Sequence, residues 1–243
     1  MPVEVIEVVR RSDQGITRPH ICRCNDNATY FVKGRGAGNI SLIKEWVCGS
    51  LALKLGLPVA PFDVVDIPTE LIIPGTDLEL EQLGSGPCFG SLGRELTTEL
   101  RFGQIELLPV ALRREIAVFD RWIRNYDRSL SIRGGNPNLL WANDEQTLVM
   151  IDHNNAFDCA VDLDEFVSGH VFGRDFLDAC HDPDGIASYR ARLDKALVSW
   201  EEIISAVPSA WLFLDKWETV PTDFSFDEAL AVLHEHHTEG FWS

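Results

Sequence analysis

The chain has 243 residues, of which 45% are hydrophobic and 24% charged, as is typical of a folded globular protein. Its formal net charge of −17 argues against a nucleic-acid or anionic-membrane partner, because such partners select basic surfaces, although one locally basic pocket could still bind phosphate. The N-terminal sequence MPVEVIEVVRRSDQG lacks the basic start and apolar core of a signal peptide, and no apolar run could span a bilayer, so we expect a cytoplasmic protein.

The first third of the chain predicts a small β-rich lobe. A half-buried strand is indicated by the alternating segment VEVIEVVR, and a hairpin around Asn25, Asp26 and Asn27 is indicated by RPHICRCNDNATYFVKG. Helical periodicity follows in ISLIKEWVCGSLALKLG, which Gly56 ends. A further strand is predicted for APFDVVDIP. Residues 78–93, LELEQLGSGPCFGSLG, are interpreted as a connection interrupted by glycines.

The remainder of the chain is predicted to be mainly helical. Apolar residues recur at helical spacing in PVALRREIAVFDRWIRN, which starts at Pro109. Further amphipathic helices are indicated by GIASYRARLDKALVSWEEIISAV, SAWLFLDKW and SFDEALAVLHEHH. We therefore expect an α+β protein with a small lobe over residues 1–90 and a larger, mainly helical lobe over residues 91–243, which together form one domain.

Two patterns suggest metal sites, and both are interpreted as structural. Cys22 and Cys24 fall on one face of a strand, and no second pair completes a zinc site, so the six cysteines are interpreted as reduced structural thiols. The segment HEHH contains His234, His236 and His237. It is interpreted as a solvated helix end, with a metal-binding module on these three histidines as an alternative.

The candidate chemistry lies in the stretch RNYDRSLSIRGGNPNLLWANDEQTLVMIDHN. If LLWA and TLVMI pair across a four-residue loop, Ala142 opposes Thr147. Asn138 then opposes Ile151, which puts Asn138 and Asp152 at the same open end of a hairpin. Opposed residues lie roughly 5 Å apart at Cα, so both side chains could reach one ion. Carboxylate and amide oxygens suit Mg²⁺. The alternative is that both residues only cap strand ends.

Asp127 precedes this hairpin and is the candidate catalytic base, because an Asp beside a metal-bound nucleotide can orient an attacking hydroxyl and accept its proton. Arg128 and Arg133 follow it and could neutralise phosphate charge. Lys33 ends the strand TYFVK and could bind the α- and β-phosphates, with the helical Glu45 holding it through an ion pair. The alternative for Glu45 is an exposed position on the helix.

Taken together, these segments resemble the HipA-like kinase family. FDRWIRNYDR, NPNLLW and LVMIDHNNAFD resemble the catalytic core that HipA-type kinases share with the phosphatidylinositol 3- and 4-kinases. YFVKG, SLIKEWVCGSLALKLGLPVAPFDVVDI and GPCFGS resemble the compact, stand-alone form of the HipA-like domain. The resemblance runs from about residue 10 to about residue 215. It implies a bilobal protein-kinase-like fold, with ATP in the cleft and Mg²⁺ as the metal.

The resemblance also implies roles for individual residues. They are Asp127 as the catalytic Asp, Asn138 and Asp152 as metal ligands, Lys33 as the phosphate-binding Lys and Glu45 as its partner. The loop RRSDQGITRP would cover the phosphates, with Gly15 and Thr17 nearest to them. The segment CFGS would be the hinge, at which the backbone of Phe89, Gly90 and Ser91 meets adenine.

The chain departs from the family pattern at two places. The gap RSLSIRGGNP after the catalytic Asp is longer than usual, so Asn136 stays as an alternative to Asn138 as a metal ligand. Ser129 stands where HipA proteins tend to carry a His.

The expected function is that of an ATP- and Mg²⁺-dependent phosphotransferase acting on a protein Ser/Thr hydroxyl. HipA proteins are bacterial protein serine kinases and often the toxin of a toxin–antitoxin pair, so an antitoxin-like regulator would be a further partner. The alternatives are a small-molecule kinase on the same core and a nucleotide-binding pseudokinase or interaction module.

Overall fold

The computed structural model describes residues 2–12, 18–94, 96–158, 161–215 and 217–243, which form two compact units. Unit 1 comprises Met1–Trp46, Ala60–Glu95 and Ala206–Phe224, and unit 2 comprises Val47–Val59, Leu96–Ser205 and Ser225–Ser243. Strands dominate the first and helices the second. The predicted α+β class is therefore confirmed.

Unit 1 is built around a closed barrel of five strands. They are β1 (Val3–Arg11), β2 (His20–Cys24), β3 (Thr29–Lys33), β4 (Phe62–Ile67) and β5 (Gly86–Leu92), in the order β1-β2-β3-β5-β4. The barrel closes through a parallel pairing of β1 with β4, and the other neighbours are antiparallel. The inward side chains of Val5, Val32 and Val65 are buried in one core, as the alternating sequence pattern predicts.

The first helix, α1 (Asn39–Leu55), ends as its sequence predicts. Gly56 adopts a φ of +75°, and the amide of Leu57 then donates to the carbonyl of Ala52. The interpretation of residues 78–93 as a connection is wrong. They form α2 (Leu78–Leu83), which the Asp77 side chain caps, followed by β5.

Glycines conceal β5 in the sequence, because glycine is a poor strand former on its own. In the barrel, Gly90 lies so close to a neighbouring strand that an added Cβ would be 2.3 Å from Cγ2 of Val65. The pairing of β5 therefore depends on the surrounding barrel, in which only glycine fits at position 90.

Unit 2 combines a sheet with helices. The sheet has the order β6 (Thr97–Glu99), β7 (Leu139–Ala142), β8 (Thr147–Met150) and is antiparallel. Its helices are α3 (Val110–Trp122), α4 (Leu163–Gly169), α5 (Gly173–Cys180), α6 (Pro183–Leu197), α7 (Trp200–Ser205), α8 (Phe226–Leu233) and α9 (Glu239–Trp242). The predicted register of the hairpin is confirmed, because Ala142 pairs with Thr147 and Leu140 with Val149.

The prediction of a helix for SAWLFLDKW is wrong beyond its first turn. Among the described residues of this segment, Ser209–Trp211 form a 3-10 helix and the others are not helical. Downstream, the Asp215 carboxylate accepts hydrogen bonds from the backbone amides of Thr219 and Val220, which organises a turn instead. Asp side chains compete with helix hydrogen bonds in this way.

The solvated helix end expected for HEHH is confirmed for His234 and His237, which are exposed after the end of α8. It is wrong for His236, which is completely buried in the 3-10 turn His234–His237.

The described cysteines occur as thiols, in agreement with their interpretation as reduced; they are Cys22, Cys24, Cys48, Cys88 and Cys180. Burial raises the pKa of Cys22 and of Cys88 to about 12, so both are neutral. Within the described ranges, none of the helices has the length and apolar character needed to cross a membrane.

Gly90→Ala should destabilise the protein by about 1–3 kcal/mol, because the new methyl group overlaps the buried, β-branched Val65. Gly103→Ala is the matched control, since a Cβ at that exposed glycine meets no atom within 4 Å, and we expect a change within about 0.5 kcal/mol. Urea denaturation measures both free energies of unfolding. Equal values for the two variants would contradict the close packing at Gly90.

Candidate active site

The open end of the β7–β8 hairpin carries Asn138 and Asp152. The amide of Ile151 donates to the carbonyl of Asn138 at 3.1 Å, so these two residues are opposed as the sequence predicts, and Asp152 comes next in the chain. Asn138 and Asp152 both adopt left-handed backbone, with φ of +47° and +60°. Asn and Asp tolerate this conformation better than most residues. Their amide and carboxylate oxygens are a donor set that fits Mg²⁺.

Asp127 accepts hydrogen bonds from three side-chain amides at one carboxylate oxygen. The Nδ2 atoms of Asn136, Asn138 and Asn155 lie 3.1, 3.4 and 2.9 Å from its Oδ2. Asn138 Nδ2 also donates to the main-chain carbonyl of Asp127 at 2.8 Å. All three contacts are made at Oδ2, so the carboxylate is positioned through this one oxygen.

The two candidate ligand amides occupy different places. Asn138 borders β7, and because its Nδ2 is engaged with Asp127, its Oδ1 is the atom that it offers to a metal. Asn136 has its main-chain carbonyl bonded to the amide of Ser129 at 2.9 Å, within the loop. Both side chains donate through Nδ2 to Asp127, and Asn138 is the one that opposes Ile151, next to Asp152.

Arg128 anchors the backbone around these residues. Its side chain is fully buried, and its Nε donates to Oδ2 of Asp120 at 2.7 Å. The same guanidinium donates through Nη1 to the carbonyls of Pro137, Asn138 and Ile151. It thereby ties the two residues before β7 to the first residue after β8. A role for Arg128 in neutralising phosphate is thus wrong, because its charge is committed to Asp120.

Asp120 is the centre of a buried polar cluster. Besides Arg128, it accepts from Asn125 Nδ2 at 3.0 Å and contacts His170 Nε2 at 2.9 Å. The other ring nitrogen of His170 accepts from the amide of Phe172, so Nε2 carries the hydrogen that Asp120 accepts. Burial by itself would raise the pKa of Asp120, but the Arg128 charge and His170 outweigh it and hold that pKa far below its ordinary value.

In unit 1, Lys33 and Glu45 form the expected ion pair. Lys33 Nζ lies 2.5 Å from Glu45 Oε1, and the two side chains are only 10% and 2% exposed. The alternative of a solvent-exposed Glu45 is therefore wrong. Burial weakens the screening of this pair by solvent, so the carboxylate holds the ammonium group in a defined position.

The other predicted nucleotide contacts have different outcomes. Gly15 and Thr17 lie outside the described residues. Phe89, Gly90 and Ser91 belong to β5, where each is paired with a residue of β3 and with one of β4. CFGS therefore lies within the barrel sheet, and its role as the hinge that meets adenine stays a prediction.

Several residues of the site are not predicted by the sequence. Asn155 stands three residues after Asp152 and carries no signal except that spacing. Asp120 has a detectable one, since it lies four residues after Ile116 on the buried face of α3. His170 joins the cluster only through the path of the chain after α4, which the sequence pattern does not indicate.

The chain is similar to known kinases in family and in fold. A family model described as HipA-like kinase matches residues 5–243. Among solved structures, the chain is similar in fold to the proinflammatory kinase CtkA of Helicobacter pylori. The TM-score is 0.50 at 12% sequence identity, and the alignment covers 99% of this chain and 96% of that one. No protein of curated function matches the chain.

Arg128→Met should destabilise the protein by about 3–5 kcal/mol at pH 7, because it leaves the buried Asp120 charge without its partner. Arg133→Met, at an exposed position in the same loop, should change the free energy of unfolding by no more than about 0.5 kcal/mol. Chemical denaturation measures the free energy of unfolding of both variants.

The difference caused by Arg128→Met should also shrink as the pH falls. A carboxyl group with a depressed folded pKa contributes stability above its unfolded pKa, about 3.9, and loses it below. A penalty that stays constant from pH 7 to pH 3 would contradict the assignment of the pair as ionic.

Proposed function

The chain belongs to the HipA-like kinase family, and we propose that it transfers the γ-phosphate of Mg²⁺-bound ATP to a protein Ser/Thr hydroxyl. The family supports a kinase-like phosphotransferase. The observation that carries the finer proposal is the convergence of three amides on Oδ2 of Asp127, beside the hairpin end with Asn138 and Asp152.

In this proposal Asp127 is the group that meets the acceptor. The amides fix the plane of its carboxylate through Oδ2, so Oδ1 can accept the hydrogen bond of an incoming hydroxyl and later its proton. A base that is oriented before the substrate arrives spends no energy on reorganisation during the reaction. Asn136 and Asn155 act as positioning residues because they touch Asp127.

The metal would be held by Asn138, through Oδ1, and by Asp152. When bound, Mg²⁺ supplies positive charge that neutralises the phosphates. Lys33 would bind the α- and β-phosphates, and Glu45 would keep its ammonium group in place. Gly15 and Thr17 are proposed to contact the phosphates on the strength of the family resemblance, whereas the backbone of Phe89–Ser91 is engaged in the barrel.

The choice of a protein acceptor rests on the likeness to HipA proteins, and a small-molecule hydroxyl is the alternative acceptor for the same core. The two-lobe arrangement over residues 1–90 and 91–243, the cytoplasmic location, an antitoxin-like regulator and the relation to the phosphatidylinositol kinases stay predictions.

Asp152→Asn should abolish Mg²⁺-dependent ATP binding, since it removes the ligand charge but keeps a side chain that tolerates the left-handed backbone. Asp144→Asn, in the exposed turn at the opposite end of the hairpin, is the control and should bind like the wild type. Calorimetric titration of ATP with and without Mg²⁺ measures this. Wild-type binding that does not respond to Mg²⁺ would contradict the metal site.

Asp127→Asn should lower the rate of phosphate transfer by about 10²- to 10⁴-fold, the usual contribution of a general base. The affinity for MgATP should stay within roughly threefold, because Asn can still accept the three amide hydrogen bonds. Mass spectrometry of a mixed protein substrate incubated with MgATP reads out the transfer. Equal rates in variant and wild type would remove Asp127 from the base role, and MgATP binding without transfer by the wild type would favour the pseudokinase alternative.

A further inference from the structure

A second cluster of ligand-type side chains lies in unit 2 and consists of Asp194, His236 and His237. Asp194 on α6 has its Oδ1 3.0 Å from Nε2 of His236 and 3.0 Å from Nε2 of His237. The ligand atoms of the three residues all lie within 4.8 Å of one another. One oxygen and two imidazole nitrogens thus lie close together between α6 and the turn His234–His237.

The hydrogen bonds of His236 define which ring nitrogen carries the proton. Its Nδ1 lies 2.6 Å from the carbonyl oxygen of Leu233, which can only accept, so Nδ1 is the donor. In the neutral ring, Nε2 is then a bare lone pair. This lone pair faces a carboxylate oxygen of Asp194, which also has no hydrogen to share. Two acceptors 3.0 Å apart repel each other unless a cation or a proton lies between them.

The burial of His236 limits what its Nε2 can meet. The side chain is completely buried, so Nε2 cannot be satisfied by bulk water and faces the Asp194 carboxylate instead.

Further hydrogen bonds fix the backbone around the His236 ring. The Leu233 carbonyl that fixes Nδ1 accepts a second hydrogen bond, from Trp122 Nε1 at 2.7 Å. The main-chain carbonyl of His236 accepts from Arg190 Nε and from Trp242 Nε1. Histidines that bind metals commonly donate their other ring hydrogen to a backbone carbonyl, which orients the ring, and His236 has this arrangement.

We propose that Asp194, His236 and His237 bind a divalent transition-metal ion, and that zinc is its best chemical match. Zinc takes imidazole nitrogen and carboxylate oxygen at about 2.0–2.2 Å, and two atoms 3.0 Å apart can share such an ion at roughly a right angle. Asp194 and His237 are 46% and 49% exposed, so water can complete the coordination. Nitrogen ligands distinguish this site from the oxygen site proposed for Mg²⁺.

The consequence of binding is a cross-link. Asp194 lies on α6, whereas both histidines lie in the turn between α8 and α9, so the ion joins two segments that are distant in sequence. The turn also packs against α3, because the Trp122 ring meets the His236 ring edge to face at 6.2 Å. Zinc should therefore stabilise the C-terminal part of unit 2, whether or not the chain transfers phosphate.

The test is a calorimetric titration of Zn²⁺ into chelator-treated protein without a polyhistidine tag. We expect one ion per chain, and at least a roughly tenfold loss of affinity in Asp194→Asn and in His237→Asn. Both positions are half exposed, so these variants should fold. His234→Asn is the matched control, since His234 is exposed in the same turn but outside the cluster, and its affinity should equal that of the wild type.

Two further measurements complete the test. His236→Asn keeps an amide donor for the Leu233 carbonyl but has no Nε2, so it should lose binding altogether. Zinc should raise the unfolding temperature of the wild type and of Asp152→Asn, but not of Asp194→Asn. No binding by the wild type, or equal affinity in the wild type, Asp194→Asn and His237→Asn, would overturn the proposal.

Discussion

The ion pair between Arg128 and Asp120 is the interaction on which the candidate catalytic region depends. Both side chains are fully buried, and removing two charges from water costs several kcal/mol for each ion. That cost is offset because Asp120 also accepts from Asn125 and His170, while Arg128 donates to backbone carbonyls. The pair therefore cannot relax into another arrangement without leaving a buried charge or carbonyl unsatisfied.

The position of this anchor explains the geometry around it. Arg128 follows Asp127 directly, and its guanidinium contacts the carbonyls of Asn138 and Ile151, the residue before Asp152. Asp127 is thus next to Arg128 itself, and Asn138 and Asp152 are on, or next to, residues whose carbonyls Arg128 binds. The left-handed backbone at Asn138 and Asp152 persists in this framework, as is common for constrained residues at functional sites. The three amides then add a second level of order by orienting Asp127 itself.

The extent to which the sequence predicts this structure varies between elements. The register of β7 and β8 could be predicted from the sequence, because a four-residue loop between two apolar runs leaves one pairing that buries both runs. β5 could not be predicted from the sequence, because its glycines are typical of loops and its pairing depends on strands far apart in the chain. Arg128 illustrates the same limit within the site. Its place in a polar loop indicates a surface residue, and only the buried carboxylate on α3 reverses that interpretation.

The sequence by itself determined the α+β class, the amphipathic helices, the hairpin and the identity of the residues grouped at its open end. These features follow from local periodicity and turn chemistry, which act over a few residues. The tertiary structure alone decided which polar side chains are buried and what they face. The helical pattern left open whether Glu45 is buried or exposed, and the structure shows it buried beside Lys33. His236 was predicted to be solvated, whereas the fold buries it against Asp194. Burial and pairing of charges depend on contacts between segments distant in sequence, so no local pattern encodes them.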